Sequence, residues 1–241
     1  MNQALALCLL LAVTDAPLSG SPDAGQALVR GDAFDLGSGA RAYSEEHRET
    51  YLAGRLLSMR TLYRDPAGTL VAERDLDFSS SSIRPAYTFK DARTGHEEGA
   101  AFAGGRIRMH YRASAAVPDK EKSLKIPEPA VIDGGFHPFL KENWSALMAG
   151  KKVSFNFVVP SRLDYFRFVA YADPARDPAD GTQRVIVARP ENRMLRLLVE
   201  PIVARYDTAS LRMLEYRGLS NLPGPDGGTQ KVRLMYQEPG L

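Results

Sequence analysis

Residues 133–160 read DGGFHPFLKENWSALMAGKKVSFNFVVP, and their hydrophobic period changes once, at Gly150. In the first part Phe136, Phe139, Leu140, Trp144, Leu147 and Met148 recur at helical spacing, with Lys141, Glu142 and Ser145 between them. That is the pattern of a helix with one face sunk in a core. Asp133 is placed to cap its amino end and Gly150 to end it, with Lys151 and Lys152 where the helix dipole favours cations. Beyond the glycine, Val153, Phe155, Phe157 and Val159 alternate with Ser154, Asn156 and Val158 until Pro160, the pattern of a half-buried strand. Burying the six large apolar side chains of the helix contributes about 10 to 15 kcal/mol before ordering entropy is subtracted. A helix this apolar on one side needs a sheet to cover.

The rest of the chain supplies strands. The alternation of Tyr43, Glu45, His47, Glu49 and Tyr51 with Ala42, Ser44, Glu46, Arg48, Thr50 and Leu52 predicts a strand over Arg41–Leu52 that is polar on both sides. Such a strand is expected at an edge or against a wet groove. Leu56–Arg64 and Thr69–Phe78 flank the turn Asp65-Pro66-Ala67-Gly68 as a hairpin. Ala86–Asp91 and Glu97–Ala103 flank Arg93-Thr94-Gly95, and Arg106–Arg112 follows as a third arm. Ala113–Ala130, with Pro118, Pro127 and Pro129, reads as a crossing loop. Leu163–Tyr171, Arg184–Ala188, Ile202–Tyr206, Leu211–Tyr216 and Lys231–Tyr236 read as further strands, and Pro190–Val199 as a short helix or a strand, the helix favoured. The predicted fold is mostly β (α+β): one antiparallel, curved sheet or incomplete β-barrel of about ten strands. One main helix, about residues 133–149, packs on its concave face.

With 241 residues, 44% of them hydrophobic and 25% charged, the chain is globular. Its net charge of +2 is spread along the chain without a basic stripe, which argues against nucleic acid as a partner. Ala4–Val13 is an apolar run too short to span a bilayer and is followed by small residues. It reads as an export signal cleaved near Ala16–Ala24, atypical because no Lys or Arg precedes Arg30. The single cysteine, Cys8, lies inside this run, behind Leu7 where a lipoprotein signal has a small residue, so lipidation is not expected. Residues 1–24 are therefore assigned to the signal and a flexible lead-in, and 25–241 to a single β-rich domain in the periplasm or outside the cell. Ser19 to about Gly39 is expected to be flexible, with at most a short strand at Ala27–Arg30. No integral membrane span is expected in the mature chain.

Motifs of chemistry are scarce. His47, His96, His110 and His137 are dispersed and lack metal-ligand spacing, so no metal site is predicted. Gly218-Leu219-Ser220-Asn221 reads as a turn and not a nucleophile elbow, and no phosphate-binding or dinucleotide glycine pattern occurs, so no cofactor and no catalytic residue is assigned. Glu45, Glu46 and Glu49, or Glu97 and Glu98, could form a carboxylate dyad across strands, but alternation puts Glu45 and Glu46 on opposite faces.

Many antiparallel strands with a helix inserted midway resemble the half-open β-barrel of the periplasmic lipoprotein-carrier proteins, whose helices close the concave face. Leu52–Phe78, Asp133–Pro160 and Tyr206–Tyr236, including Tyr216-Arg217-Gly218-Leu219-Ser220-Asn221, also look like stretches of uncharacterised exported proteins of Gram-negative bacteria. The resemblance implies an exported β-rich fold and carries over no functional residue.

The surplus of aromatics around the helix makes an apolar or lipid-like ligand the first functional expectation, with Phe136, Phe139, Leu140, Trp144, Phe155 and Phe157 lining its site. An envelope protein docking by strand addition at Arg41–Leu52 is the alternative. A third reading, a hydrolase, requires folding to bring a dispersed histidine and a carboxylate together.

Overall fold

The computed structural model describes residues 24–237, so the expected signal run and Cys8 lie outside the described residues. One sheet of fifteen strands forms the body of the molecule. Its first half comprises β1 (Ala24–Asp35), β2 (Arg41–Leu52), β3 (Arg55–Arg64), β4 (Leu70–Asp77), β5 (Ala86–Asp91), β6 (His96–Ala103), β7 (Arg106–Arg112) and β8 (Lys120–Leu124). Its second half comprises β9 (Ala130–Ile132), β10 (Val153–Val159), β11 (Asp164–Ala172), β12 (Gln183–Pro190), β13 (Ile202–Asp207), β14 (Met213–Leu219) and β15 (Lys231–Tyr236). The helices α1 (Phe136–Glu142), α2 (Trp144–Met148) and α3 (Leu195–Leu198) complete it.

Strand order follows from the connections. Short turns such as Asp65–Thr69, where the Asp65 carboxylate accepts from the Thr69 N–H at 2.9 Å, lay each strand beside the one before it. β1 lies in the middle, between β2 and β15, and the two halves run outward to the edge strands β8 and β9. All pairs are antiparallel except β9 with β10, which the α1–α2 crossover joins in parallel. The turn at Pro160–Arg162 packs on β6 and β7, so the sheet curls back on itself without a ladder joining β8 to β9.

Two cores result. Tyr43, Tyr63, Leu76, Phe78, Phe89, Ile107, Met109 and Leu234 belong to one, inside the curve of β1–β7 and β15. Phe136, Phe139, Leu140, Leu147, Phe155, Phe168, Ile186 and Tyr206 belong to the other, between the α1–α2 pair and β10–β13. Alternation along β9 and β10 serves both: Val131 and Phe155 join the helix-side core, whereas Ala130, Ile132 and Val158 join the first.

Several expectations are corrected. Fifteen strands replace about ten, because β8 and β9 lie in lysine- and proline-rich sequence without alternation, and β1 lies in the presumed flexible lead-in. β1 is held by backbone ladders to β2 and β15 while most of its side chains stay at least partly exposed. β2 matches the expected range but is paired on both sides, so it is not an edge. Its two-sided polarity arises because Glu45 and His47 point into a polar interior. The predicted helix over 190–199 is the single turn α3.

The central helix is divided. A 3-10 turn at Asp133–Gly135 precedes α1, and Asn143 separates α1 from α2 with its amide donating to the Phe139 carbonyl at 2.9 Å. Gly150 ends α2 at φ 75°, with the Lys151 N–H bonded to the Ala146 carbonyl and the Gly150 N–H to that of Leu147, the glycine stop expected. Asp133 does not cap the helix.

Candidate functional site

The first core encloses charge. On β2, Glu45 and His47 are 5% exposed, and on β4 Arg74 is 6% exposed. The ladders place His47 beside Thr61 and Thr61 beside Arg74 across β2, β3 and β4, so one row crosses the interior. His47 Nδ1 lies 2.9 Å from Thr61 Oγ1, and Arg74 Nη2 donates to the same hydroxyl at 3.4 Å. Arg74 Nη1 donates to Asp133 Oδ1 at 2.8 Å, tying β4 to the segment that enters the helices. Asp133 holds this position with a left-handed φ of 37°. The next residues leave it no slack: a Cβ on Gly135 would sit 2.1 Å from the Ile83 carbonyl oxygen.

Tyrosines surround the row. Tyr43 Oη and Ser220 Oγ are 2.8 Å apart, Tyr216 Oη donates to the Leu219 carbonyl, and the rings of Tyr236 and His47 are 5.7 Å apart. The stretches Leu52–Phe78, Asp133–Pro160 and Tyr206–Tyr236 meet here, contributing Thr61 and Arg74, then Asp133, then Tyr216, Ser220 and Tyr236. Burial pushes the Asp133 carboxyl up, and Arg74 opposes it. Burial works against the Arg74 charge, but the Asp133 carboxylate together with Tyr63, Glu45 and Tyr236 more than offsets it and the guanidinium stays charged. Nearby, Tyr87 Oη donates to Glu98 Oε1 at 3.1 Å, and burial together with the Asp133 charge raises the Glu98 pKa to about 7.

Folding thus brings histidine and carboxylate together. His47 Nε2 is 2.9 Å from Glu45 Oε2, and His96 Nε2 is 3.9 Å from Glu98 Oε2. Hydroxyl, imidazole and carboxylate of Thr61, His47 and Glu45 stand in the order of a nucleophilic triad. Two features oppose that chemistry: Thr61 is fully buried, and His47 Nε2 makes no hydrogen bond despite its short contact with Glu45. The arrangement sets Arg74 against Asp133 and Glu45 against His47 inside a core. His110 lies apart, lining an outer groove of about 640 Å³ with Arg48, Arg60 and Arg108. Among the described residues no group of three or more His, Cys, Asp or Glu is placed to hold a metal ion.

All six residues expected to line a ligand site come together in the second region. Phe139 and Phe155 have ring centroids 4.8 Å apart, Phe136 lies 5.8 Å from Phe155, and Phe155, Phe157 and Phe168 form a triangle with sides near 6 Å. Leu140 is fully buried behind them. Trp144 meets Tyr206 edge to face at 5.5 Å, and His137 stacks on the same tyrosine at 5.5 Å with Nδ1 3.1 Å from its hydroxyl. Burial, with Lys141 nearby, lowers the His137 pKa to about 4, so the imidazole is neutral near pH 7. Phe166, Phe168 and Tyr206 belong to the same ring layer though alternation alone did not single them out. Trp144, Phe157 and Phe166 are half-buried, so the layer reaches the surface.

Among the described residues no helix is long and apolar enough to cross a membrane. No family model matches the sequence, and no curated protein matches it. A solved structure that is similar is the crystal structure of a β-barrel-like protein of a domain of unknown function, DUF1849, from Brucella abortus. It aligns with a TM-score of 0.47 at 10% identity, over 88% of this chain and 96% of that one. A similarity at that level assigns the chain to no family.

Proposed function

We propose that this is a non-catalytic, exported binding protein that works in the periplasm and holds an apolar or lipid-like molecule between the α1–α2 pair and β10–β13. The observation that carries this reading is the aromatic layer there, buried at Phe139 and Phe155 and reaching the surface at Trp144, Phe157 and Phe166. Its cover is two short helices divided at Asn143 and not one rod. A ligand enters by lifting that cover and replacing ring-to-ring contacts with its own. The test is a native mass spectrum of purified protein, compared with solvent extraction of the same sample. A stoichiometric apolar passenger is expected; a clean apo mass that does not shift on adding fatty acids or phospholipids would overturn the reading.

A second reading rests on β8. This strand pairs only with β7, and Lys120–Ser123 are exposed, so an envelope protein has an open backbone ladder to extend there. The lysines on this edge oppose casual pairing and favour an acidic partner strand. Photo-crosslinking from position 121 in intact cells yields one dominant protein adduct if this reading holds and none if it does not.

A further inference from the structure

The outer face of β13–β15 gathers arginines around one carboxylate. Glu215 lies directly across from Arg205, and Arg217 directly across from Arg233. All four point away from Ala204 and Tyr216, which alternate with them into the cores. Glu215 is 6% exposed, with Arg217 Nε at 2.9 Å, Arg233 Nη2 at 3.1 Å and Arg205 Nη2 at 3.8 Å from its oxygens. Beside it lies a cleft of about 120 Å³ with Val185 and Val203 in its wall, lined by Arg176, Arg205, Arg217 and Glu215. Arg176 is paired with Asp173 at 3.1 Å.

One carboxylate facing three guanidinium groups leaves two positive charges uncompensated. Like charges directly opposite on neighbouring strands repel, and Arg217 and Arg233 are such a pair. The Nε atoms of Arg205 and Arg233 are buried without a hydrogen-bond partner. Arginine forks offer parallel N–H donors whose spacing matches a tetrahedral oxyanion, and a phosphate dianion carries the charge this cluster lacks.

We propose that this cleft binds a phosphate group, with Arg205, Arg217 and Arg176 as donors and Glu215 holding the guanidinium groups in place. Free orthophosphate and a phospholipid headgroup present the same chemistry, and the test has an arm for each. Thermal unfolding is followed in orthophosphate against chloride at equal ionic strength. Co-sedimentation is measured with phosphatidylcholine vesicles with and without phosphatidic acid. Wild type responds in at least one arm, and Arg205→Gln/Arg217→Gln weakens that response at least tenfold. These side chains are 38% and 49% exposed, so the variant is expected to fold, which circular dichroism checks. Glu215→Gln keeps an acceptor oxygen that can hold the guanidinium groups and removes the competing charge, so the phosphate response is kept or strengthened. A response to phosphate alone identifies the free ion, and one to phosphatidic acid vesicles alone identifies the headgroup. No response beyond chloride and neutral lipid, or an undiminished response in the double variant, overturns the proposal. The passenger content that tests the helix-side reading is measured separately, so either can fail alone.

Discussion

The two cores of this molecule are built on opposite principles. Inside β1–β7 the chain buries polar and charged side chains, pairing Arg74 with Asp133 and setting Glu45 beside His47. Under the helices it buries rings against rings, and burial holds the titratable groups packed there, His137 and Tyr206, neutral. A buried ion pair adds little net stability but makes its geometry obligatory, because either partner alone is severely penalised. An aromatic layer contributes through area and tolerates rearrangement. The first region is thus suited to fixing where the crossover to the helices docks, and the second to exchanging contacts.

That contrast can be broken by substitution. The largest effect is expected from Arg74→Met, which leaves Asp133 buried and unpaired: a loss of about 3 to 5 kcal/mol in denaturant unfolding. The double variant Arg74→Met/Asp133→Leu should recover much of it, and a double as unstable as the single would show that the pair is not the reason. Phe155→Ala, in the ring layer, is expected to lose about 3 kcal/mol, the low end for its type because Phe139, Phe157 and Phe168 can close in.

The pH dependence separates the regions further. Glu98 has a folded pKa of about 7, above the 4.5 of a free glutamate, so its neutral form favours the fold. Its contribution is fully present below about pH 4.5 and is lost as pH rises through about 7, on the order of 3 kcal/mol. His137 works in the other direction: lowered from 6.5 to about 4, it makes the fold lose stability as pH falls through that window. Stability curves of Glu98→Gln and His137→Phe should each lose one of these slopes, and an unchanged slope would place the titrating group elsewhere. The smallest effect is expected from Trp144→Ala, about 1 to 2 kcal/mol for a half-buried ring. Under the ligand reading it also removes the passenger, whereas a purely structural ring changes stability alone.

Much of this was written locally. The alternation of β2, β5, β7, β10 and β15 marks those strands, and Gly150 marks the helix end, because period and turn chemistry act over a few residues. Tyr43, Glu45 and His47 were visible as one face of one strand. The same alternation misled about their surroundings, since polar residues facing water and polar residues facing a charged interior have the same pattern. Asp133 was misjudged for a related reason: a carboxylate ahead of a helix is an ordinary cap, and only Arg74, 59 residues earlier, makes it an ion pair. β8 was missed, and β1 reduced to at most Ala27–Arg30, because ladder bonds from neighbours hold them more than their own side chains do; β9 was missed because three buried residues among prolines are too short to show a period.

By itself the sequence determined a β-rich chain with one interposed amphipathic helical segment and an aromatic surplus beside it, because hydrophobic period is a local property of the chain. Only the tertiary structure decided that fifteen strands join in one sheet, that Arg74 meets Asp133 and that Arg205, Arg217 and Arg233 converge on Glu215. Those are matters of strand order and register, set by which distant backbones pair, and single-residue pattern carries no record of them.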